Sequence, residues 1–343
     1  MTSLHSCSQS GVPQYHTVIL KTVGSACNMR CAYCYEHDLR AEASPFLQPN
    51  DFKEFLNQIS HSSEVNFLFH GGEPLLYPKP WMKEMLHMIK EALPGKHMIQ
   101  FQTNGTLIDE EWLEIFKEVE AYVAVSISLD PLSDISLRHL PGEDYRKIVL
   151  KRIADVLREL GTVGVVSVAH QANLSAYTLF IEELISIGVP YLTINKIRRN
   201  HQAKVQANRY LLSETDYVSF IKETMTDWLN RRLYEKIQIQ PFISLLSTDV
   251  NQICQYLPLE GKCQSFITLY PDKQISNCNH LHQDRQNIYQ KNRNKLTEDC
   301  IYCSIYEWCG GGCLAEEKED DFCQARGHLH QFIKGVFNEG SGT

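Results

Sequence analysis

The sequence of 343 residues lacks several features that would place it in whole classes of protein. No apolar run reaches the roughly 18 residues that a membrane-spanning helix needs, and the N-terminal segment lacks the apolar stretch of a signal peptide. The net charge of −8 gives no overall attraction to nucleic acid. These absences predict a cytoplasmic protein that binds neither a membrane nor nucleic acid.

Cysteine is missing from the middle of the chain and concentrated at its two ends. Of the twelve cysteines, three lie between Cys27 and Cys34, none lies between residues 35 and 253, and eight lie between Cys254 and Cys323. Only Cys7 stands apart. Disulfide frameworks are typical of secreted chains, whereas clustered cysteines in a reducing compartment are more often metal ligands or redox centres. The distribution predicts a cysteine-free body between two metal-binding regions.

The cysteine-free body alternates between segments that favour strands and segments that favour helices. Six βα units with short connections predict a parallel sheet. Six units are too few for a closed eight-stranded barrel, so we expect an open or partial (β/α)6 barrel. The predicted strands are 16–24, 64–72, 98–104, 122–130, 163–170 and 191–197, and the predicted helices are 51–59, 81–92, 109–119, 144–160, 175–187 and 214–235.

Polar motifs follow the predicted strands at the points where the strands end. The first strand is followed by CNMRCAYC, the second by HGGEP and the third by QTNGT, and the fourth ends in SLD. Ligands of parallel sheets bind beyond the carboxyl ends of the strands. We therefore expect the four motifs to meet at one edge of the sheet.

The three cysteines of the first motif, Cys27, Cys31 and Cys34, lie on one short loop. A cubane iron–sulfur cluster is usually held by four thiolates, so three would leave one iron open to another ligand. The alternatives are a thioredoxin-like pair at Cys31 and Cys34, which the third cysteine disfavours, or a zinc site with a distant fourth ligand.

The spacing C-x3-C-x-aromatic-C after a first strand resembles the signature of the radical S-adenosylmethionine (SAM) enzymes. The resemblance implies that the open iron binds the amino and carboxylate groups of SAM. It also implies that an electron from the cluster splits SAM into methionine and a 5′-deoxyadenosyl radical. The implied SAM contacts are Tyr33 near the adenine, Gly71, Gly72 and Glu73 at the methionine ammonium, Thr103 and Asn104 near the ribose, Ser128 and Asp130 at the end of the fourth strand, Arg138 at the carboxylate, and the backbone around Leu192 beside the adenine.

Two of these assignments have plain structural alternatives. Paired glycines such as Gly71 and Gly72 usually only form a turn, and Arg138 could be an exposed structural arginine.

The eight cysteines of the tail resemble the SPASM extension of radical SAM enzymes that modify peptides and proteins. The run C-x2-C-x5-C-x3-C at 300–313 carries this resemblance, although Lys273 replaces a glycine that the family often has. The alternative is a pair of zinc ribbons. The resemblance implies three [4Fe–4S] clusters in all, with auxiliary cluster I on Cys254, Cys263, Cys278 and Cys313 and auxiliary cluster II on Cys300, Cys303, Cys309 and Cys323.

The resulting domain organisation has four parts. An N-terminal arm at 1–15 precedes the radical SAM barrel at 16–235, and the SPASM domain at 236–335 precedes a tail at 336–343. The arm is too short for a separate leader-binding domain, so we expect a peptide to be recognised by the barrel rim, by the SPASM domain or by a separate partner.

Two reactions fit the resemblance. Our first hypothesis is a maturase that forms a cyclophane or thioether crosslink in a ribosomally synthesised precursor peptide, because the HGGEPLL and YCYEHD segments resemble those of peptide-crosslinking maturases. The alternative is an anaerobic sulfatase maturase that oxidises cysteine or serine to formylglycine. Those enzymes carry an aspartate after the third tail cysteine, where this chain has Asn279, which cannot act as a carboxylate base.

Three further expectations concern partners and proton transfer. A flavodoxin or ferredoxin is the expected electron donor. The basic run at 196–204 is usually a solvated surface, but it could hold an acidic peptide. His280 and His282 are weak candidates for proton carriers, because histidine titrates near neutral pH.

Overall fold

The structure is a computed structural model. It describes residues 15–36, 45–59, 64–95, 97–118, 123–198, 208–247, 254–257, 259, 263, 266–278 and 286–340. Four residues named in the sequence predictions lie outside these ranges, namely Cys7, Asn279, His280 and His282, and the side chain of Cys254 is also not described. No helix in the described ranges is long and apolar enough to span a bilayer.

A nine-stranded sheet forms the body of the protein, in the order β7-β6-β5-β4-β3-β2-β1-β8-β9. Neighbouring strands are parallel except for β8 and β9, which are antiparallel. The six predicted strands are β1 to β6 in sequential order, and β7 and β9 form the two edges, so the open partial barrel is confirmed. The strands are β1 (Tyr15–Leu20), β2 (Glu64–Phe69), β3 (His97–Thr103), β4 (Val123–Ser128), β5 (Gly164–Ala169), β6 (Tyr191–Lys196), β7 (Gln238–Gln240), β8 (Phe266–Leu269) and β9 (Ile275–Ser276).

In the part of the chain that the structure describes, seven helices connect successive strands between β1 and β8, and three more follow β9. The fourth helix shows how its sequence sets its ends: Asp144 caps it by accepting from the backbone N–H of Arg146 and Lys147, and Gly161 ends it with a left-handed φ of +74°. The helices are α1 (Pro49–Ile59), α2 (Lys79–Ala92), α3 (Glu110–Glu118), α4 (Tyr145–Leu160), α5 (Tyr177–Ile187), α6 (Glu214–Asn230), α7 (Phe242–Leu246), α8 (Gln286–Glu298), α9 (Tyr306–Cys309) and α10 (Phe322–Gly340).

Stacked aromatic rings fix the two strands that precede the HGGEP and QTNGT motifs. Phe69 at the end of β2 stacks on Phe101 of β3 with ring centroids 4.7 Å apart, and Phe101 contacts Phe116 of α3 at 4.9 Å. All three rings are buried. Such aromatic pairs stabilise a core beyond the area that they bury, and here they hold the ends of β2 and β3 in register.

The tail adds a strand and a long helix to the body of the protein. Strand β8 extends the barrel sheet by pairing in parallel with β1, from Thr17 opposite Phe266 to Leu20 opposite Leu269. Helix α10 packs against α6. The buried residues Ala325, Leu329 and Ile333 follow each other at the four-residue spacing of one helix face.

Glu73 joins the ends of β2 and β3. Its Oε1 accepts hydrogen bonds from the Thr103 hydroxyl at 2.6 Å and from the Leu75 backbone N–H at 3.0 Å, and its Oε2 accepts from the Asn104 backbone N–H at 2.7 Å. The side chain has no solvent exposure. Burial raises the pKa of Glu73 to about 7, although the three hydrogen bonds oppose this rise.

We expect Glu73→Gln to flatten the dependence of stability on pH. The pKa of about 7 in the native state exceeds the ordinary value of 4.5, so the native state binds this proton more tightly than the unfolded state. The resulting stability is present below about pH 4.5 and is lost as the pH rises through about 7. The wild-type urea midpoint should therefore fall more steeply between about pH 5 and about pH 8 than the midpoint of the variant.

The matched control for this experiment is Glu114→Gln, since Glu114 is an exposed carboxylate on α3. The control should reproduce the wild-type slope. Parallel pH curves for wild type and Glu73→Gln would contradict the assignment, whatever the absolute stability of the variant.

Candidate active site at the carboxyl ends of the strands

A cavity of about 350 Å³ lies at the carboxyl ends of the strands and brings the four motifs together. Cys27, Cys31 and Cys34 line it, as the sequence analysis predicts. The other predicted residues that line this cavity, here called the cofactor cavity, are Tyr33, Gly71, Gly72, Thr103, Asn104, Ser128 and Arg138.

Backbone and amide groups fix the loop that carries the three cysteines. The Asn104 side-chain amide donates to Asn28 Oδ1 at 2.8 Å and lies 3.8 Å from the sulfur of Cys27. The Met29 backbone N–H donates to the same sulfur at 3.4 Å. Hydrogen bonds to sulfur favour the thiolate, which is the form that binds metal.

The three cysteines fit an iron–sulfur cluster. They pack against the same small apolar group, which contains Met29 and Leu140, and none of them forms a disulfide. Thiolates of a cubane cluster bind different irons, so three thiols around one cavity could hold three irons of such a cluster and leave the fourth iron for another ligand.

The paired glycines bring the backbone of the HGGEP motif against the cysteine loop. Gly72 has a φ of +50°, and a Cβ at this position would lie 2.1 Å from the Ala26 carbonyl oxygen. The next residue, Glu73, donates its backbone N–H to the same oxygen at 2.7 Å. A side chain is therefore excluded here by close approach as well as by the turn.

Arg138 is held over the cofactor cavity by Asp130. Its Nε lies 3.2 Å from Asp130 Oδ2, which also accepts from the Tyr33 hydroxyl at 2.7 Å. The guanidinium carbon lies 5.5 Å from the centroid of the Tyr33 ring. Arg138 is only 9% exposed, so it is a buried arginine and not an exposed one.

Three of the predicted SAM contacts do not line the cofactor cavity. The carboxylate of Glu73 is directed to the end of β3, and Asp130 is occupied by Arg138, Tyr33 and the backbone N–H of Val168. At Leu192 the predicted contact is the backbone, and the side chain is buried in the core. Further along the same segment, Asn195 to Arg198 line the cavity in its place.

The sequence analysis missed a buried ion pair at the cofactor cavity. Lys21 contacts Glu36, and both side chains are almost completely buried. The Lys21 ammonium lies 5.3 Å from the ring centroid of Tyr35 and 5.4 Å from that of Tyr270. The sequence signal was a single lysine at the end of the apolar strand VILK. Neighbouring His70 also lines the cavity, and burial together with Lys21 lowers its pKa to about 4.

A second pocket, of about 200 Å³, contains all four cysteines assigned to auxiliary cluster II. Cys300, Cys303, Cys309 and Cys323 all line this four-cysteine pocket. Gly311 also lines it with a φ of +69°, and a Cβ there would lie 2.1 Å from Leu296 Cδ2. Four thiols around one small pocket are the donor set of a [4Fe–4S] cluster.

The cysteines assigned to auxiliary cluster I are less clearly grouped. Cys263 packs against Leu296 and Leu314, whereas Cys313 lines a third cavity of about 490 Å³. Cys278 follows β9. This second ligand set stays a prediction.

The third cavity, here called the interdomain cavity, lies between the barrel and the tail. Asn195, Lys196, Ile197 and Arg198 line it, and the same four residues line the cofactor cavity. Residues of α6 and α10 also line it. The two cavities therefore share one segment of chain as a wall.

Ion pairs join the barrel to the tail across the interdomain cavity. Glu214 of α6 pairs with Lys196 at 2.8 Å and with Arg326 of α10 at 2.9 Å. Arg198 pairs with Glu316 at 2.6 Å. The two described cations of the basic run at 196–204 are therefore neutralised within the chain, which leaves less positive charge for an acidic peptide than the sequence suggests.

Comparisons with known proteins agree with this geometry. Residues 22–174 match the model of the radical SAM superfamily. The serine-type anaerobic sulfatase-maturating enzyme of Klebsiella aerogenes is 25% identical over 90% of this chain and 81% of its own length.

Solved structures share the fold of the whole chain. The structure of native anSMEcpe with bound AdoMet and the Cp18Cys peptide has a TM-score of 0.75 at 21% identity and covers 95% of this chain and 99% of that one. Streptococcus suis SuiB bound to S-adenosylmethionine has a TM-score of 0.65 at 16% identity, with coverages of 91% and 78%. The chain is therefore an enzyme with a radical SAM domain at residues 22–174, whose partial barrel would hold a [4Fe–4S] cluster and SAM, and with a cysteine-rich C-terminal region.

Proposed function

We propose that this enzyme is a peptide maturase that abstracts a hydrogen atom from a residue of a ribosomally synthesised precursor peptide and forms an oxidative crosslink of the cyclophane or thioether type. When bound, the cluster and SAM supply the 5′-deoxyadenosyl radical. One observation carries the proposal: the cofactor cavity shares the wall from Asn195 to Arg198 with an interdomain cavity of about 490 Å³. A space of that size is sufficient for a few residues of a peptide beside the radical source.

The relatives support a peptide or protein substrate. The solved structure of anSMEcpe holds the Cp18Cys peptide, and SuiB has also been solved with its precursor peptide SuiA. The relatives support the two candidate reactions equally, so formylglycine formation is the second candidate. Asn279 in place of the aspartate favours crosslinking.

We assign the residues of the cofactor cavity as follows. Arg138 donates to the SAM carboxylate, since its guanidinium is buried at the cavity and oriented by Asp130. The backbone of Gly71 and Gly72 faces the methionine ammonium. Glu73 lies outside the lining, so we assign its carboxylate to positioning of Thr103 and Asn104 and not to contact with the ammonium.

The remaining assignments follow the order of the strands. Tyr33 would pack near the adenine of SAM, and the backbone of β6 near Leu192 would flank it. Ser128 and Asp130 close the cavity at the end of β4, Ser128 by lining it and Asp130 by holding Tyr33 and Arg138.

We further propose that the tail holds two auxiliary [4Fe–4S] clusters that accept the electron released by substrate oxidation. The four-cysteine pocket supports cluster II. Cluster I rests on the sequence pattern of Cys254, Cys263, Cys278 and Cys313. A flavodoxin or ferredoxin remains our proposed electron donor, and His280 and His282 remain candidates for proton transfer.

Iron analysis tests the proposed clusters. Anaerobically reconstituted wild-type protein should bind about twelve irons and absorb near 400 nm, because each of three clusters holds four irons. Cys303→Ala should lower the iron content by about four. Cys7→Ala is the matched control and should leave it unchanged. Stoichiometric zinc in place of iron would contradict the assignment.

SAM affinity tests the role of Arg138. Arg138→Gln removes a hydrogen bond between charged groups, which contributes about 1.5–3 kcal/mol, so the Kd for SAM should rise about tenfold to about a hundredfold. Arg138→Lys keeps the charge without the planar fork and should give an intermediate Kd. The measurement is anaerobic calorimetry on protein with matched iron content. An unchanged Kd in Arg138→Gln would contradict the assignment.

Mass spectrometry of a co-expressed candidate peptide distinguishes the two reactions. A crosslink removes two hydrogens, but so does the conversion of serine to formylglycine, so the mass alone is insufficient. Treatment with a hydrazide reagent separates them, because only formylglycine carries an aldehyde. We expect loss of two hydrogens, no hydrazide adduct and missing fragment ions within the bridged segment. An adduct would select formylglycine formation, and no modification of any encoded neighbouring peptide would contradict peptide maturation.

A further inference from the structure

We infer that Lys318 is a positioning charge for the cluster in the four-cysteine pocket. Its positive charge raises the reduction potential of this cluster, so the cluster accepts an electron more readily than it would without Lys318. The inference rests on the proposed auxiliary cluster II. It concerns one side chain that no predicted ligand set includes.

Lys318 lies between the four-cysteine pocket and the interdomain cavity, and its side chain lines both. The ammonium lies 5.7 Å from the ring centroid of Phe322, the neighbour of Cys323 in the sequence. The side chain therefore shares the small pocket with all four cysteines assigned to cluster II.

The four-cysteine pocket is positive although the whole chain is negative. Among the described residues that line it, the charged side chains are three cations, Lys295, Lys318 and Arg326, and one carboxylate, Asp299. The net charge of the chain is −8. Four thiolates and an added electron make a cluster more negative, so a nearby cation stabilises the reduced form and raises the potential.

The three cations differ in how far their charge is compensated. Arg326 is buried between the rings of Tyr256 and Phe322, with its guanidinium carbon 4.7 Å and 5.0 Å from their centroids, and it pairs with Glu214 at 2.9 Å. Its charge is therefore largely offset. Lys295 is exposed on α8 and screened by solvent. Lys318 is partly buried, so its charge acts on the cluster through a medium of lower dielectric constant.

Reduction of the cluster consumes one electron and changes no ligand. The electron comes from the oxidised substrate in turnover or from dithionite in a titration. Removing the Lys318 charge should leave the ligands in place and disfavour only the reduced form.

An EPR-monitored redox titration tests this inference in full-length protein that carries Cys27→Ala, Cys31→Ala and Cys34→Ala, so that only auxiliary clusters contribute. The signal that Cys303→Ala abolishes identifies cluster II. In Lys318→Gln we expect the ratio of reduced to oxidised cluster II at a fixed potential to fall about tenfold, which equals a 59 mV lower midpoint for one electron. Lys318→Met keeps the apolar stem against Phe322 and should show the same shift if the glutamine variant folds poorly.

The controls separate the local charge from other effects. Lys318→Arg should keep the wild-type midpoint, and Lys291→Gln, which removes an exposed cation of α8 outside the pocket lining, should also leave it unchanged. The midpoint of cluster I should move less than that of cluster II, because Lys318 shares a pocket with all four assigned ligands of cluster II but a cavity with only Cys313 of cluster I. If both Lys318→Gln and Lys318→Met bind about eight irons and keep the wild-type midpoint of cluster II, this inference is wrong while the proposed auxiliary clusters stand. No signal that depends on Cys303 would overturn the proposed cluster II and this inference with it.

Discussion

The arrangement of the site depends on one buried carboxylate. Glu73 accepts hydrogen bonds from the hydroxyl of Thr103 and the backbone of Asn104, and so it fixes the end of β3 against the HGGEP turn. Asn104 in turn contacts Asn28 and the sulfur of Cys27. The position of the cysteine loop thus depends on hydrogen bonds that begin at Glu73. The isolation of this carboxylate from solvent makes each of these bonds stronger than it would be at the surface.

A second set of interactions holds the cysteine-rich tail on the barrel. Glu214 bridges Lys196, which lines the cofactor cavity, and Arg326, which lines the four-cysteine pocket. Strand β8 adds a backbone connection by pairing with β1, the strand that leads into the cysteine loop. Both contacts fix the separation between the two cysteine regions, and electron transfer between metal centres needs such a fixed separation. The interdomain cavity lies at this junction, so a substrate bound there would contact both halves of the protein.

The sequence predicted the six βα units of the fold and the cysteine loop of the site. Strands β1 to β6 and their helices were readable because each buries a periodic apolar face, and the cysteine loop because its spacing is specific. Short β7 and the pairing of β8 beside β1 depend on contacts between distant segments, which no local pattern reports. The same reason explains why Glu73 does not line the cofactor cavity: the motif was located correctly, but the direction of its side chain is set by contacts with the neighbouring strand. Helix α10 has a periodic apolar face at Ala325, Leu329 and Ile333, but its partner in the fold, α6, is distant in the sequence.

The most direct test of the account is the formation of 5′-deoxyadenosine from SAM by dithionite-reduced protein. The account assigns radical formation to the loop of Cys27, Cys31 and Cys34, and electron acceptance to the tail. Wild type and Cys303→Ala should therefore both form 5′-deoxyadenosine, whereas Cys34→Ala should form none. Equal formation by Cys34→Ala, or none by wild-type protein with its full iron content, would contradict the account.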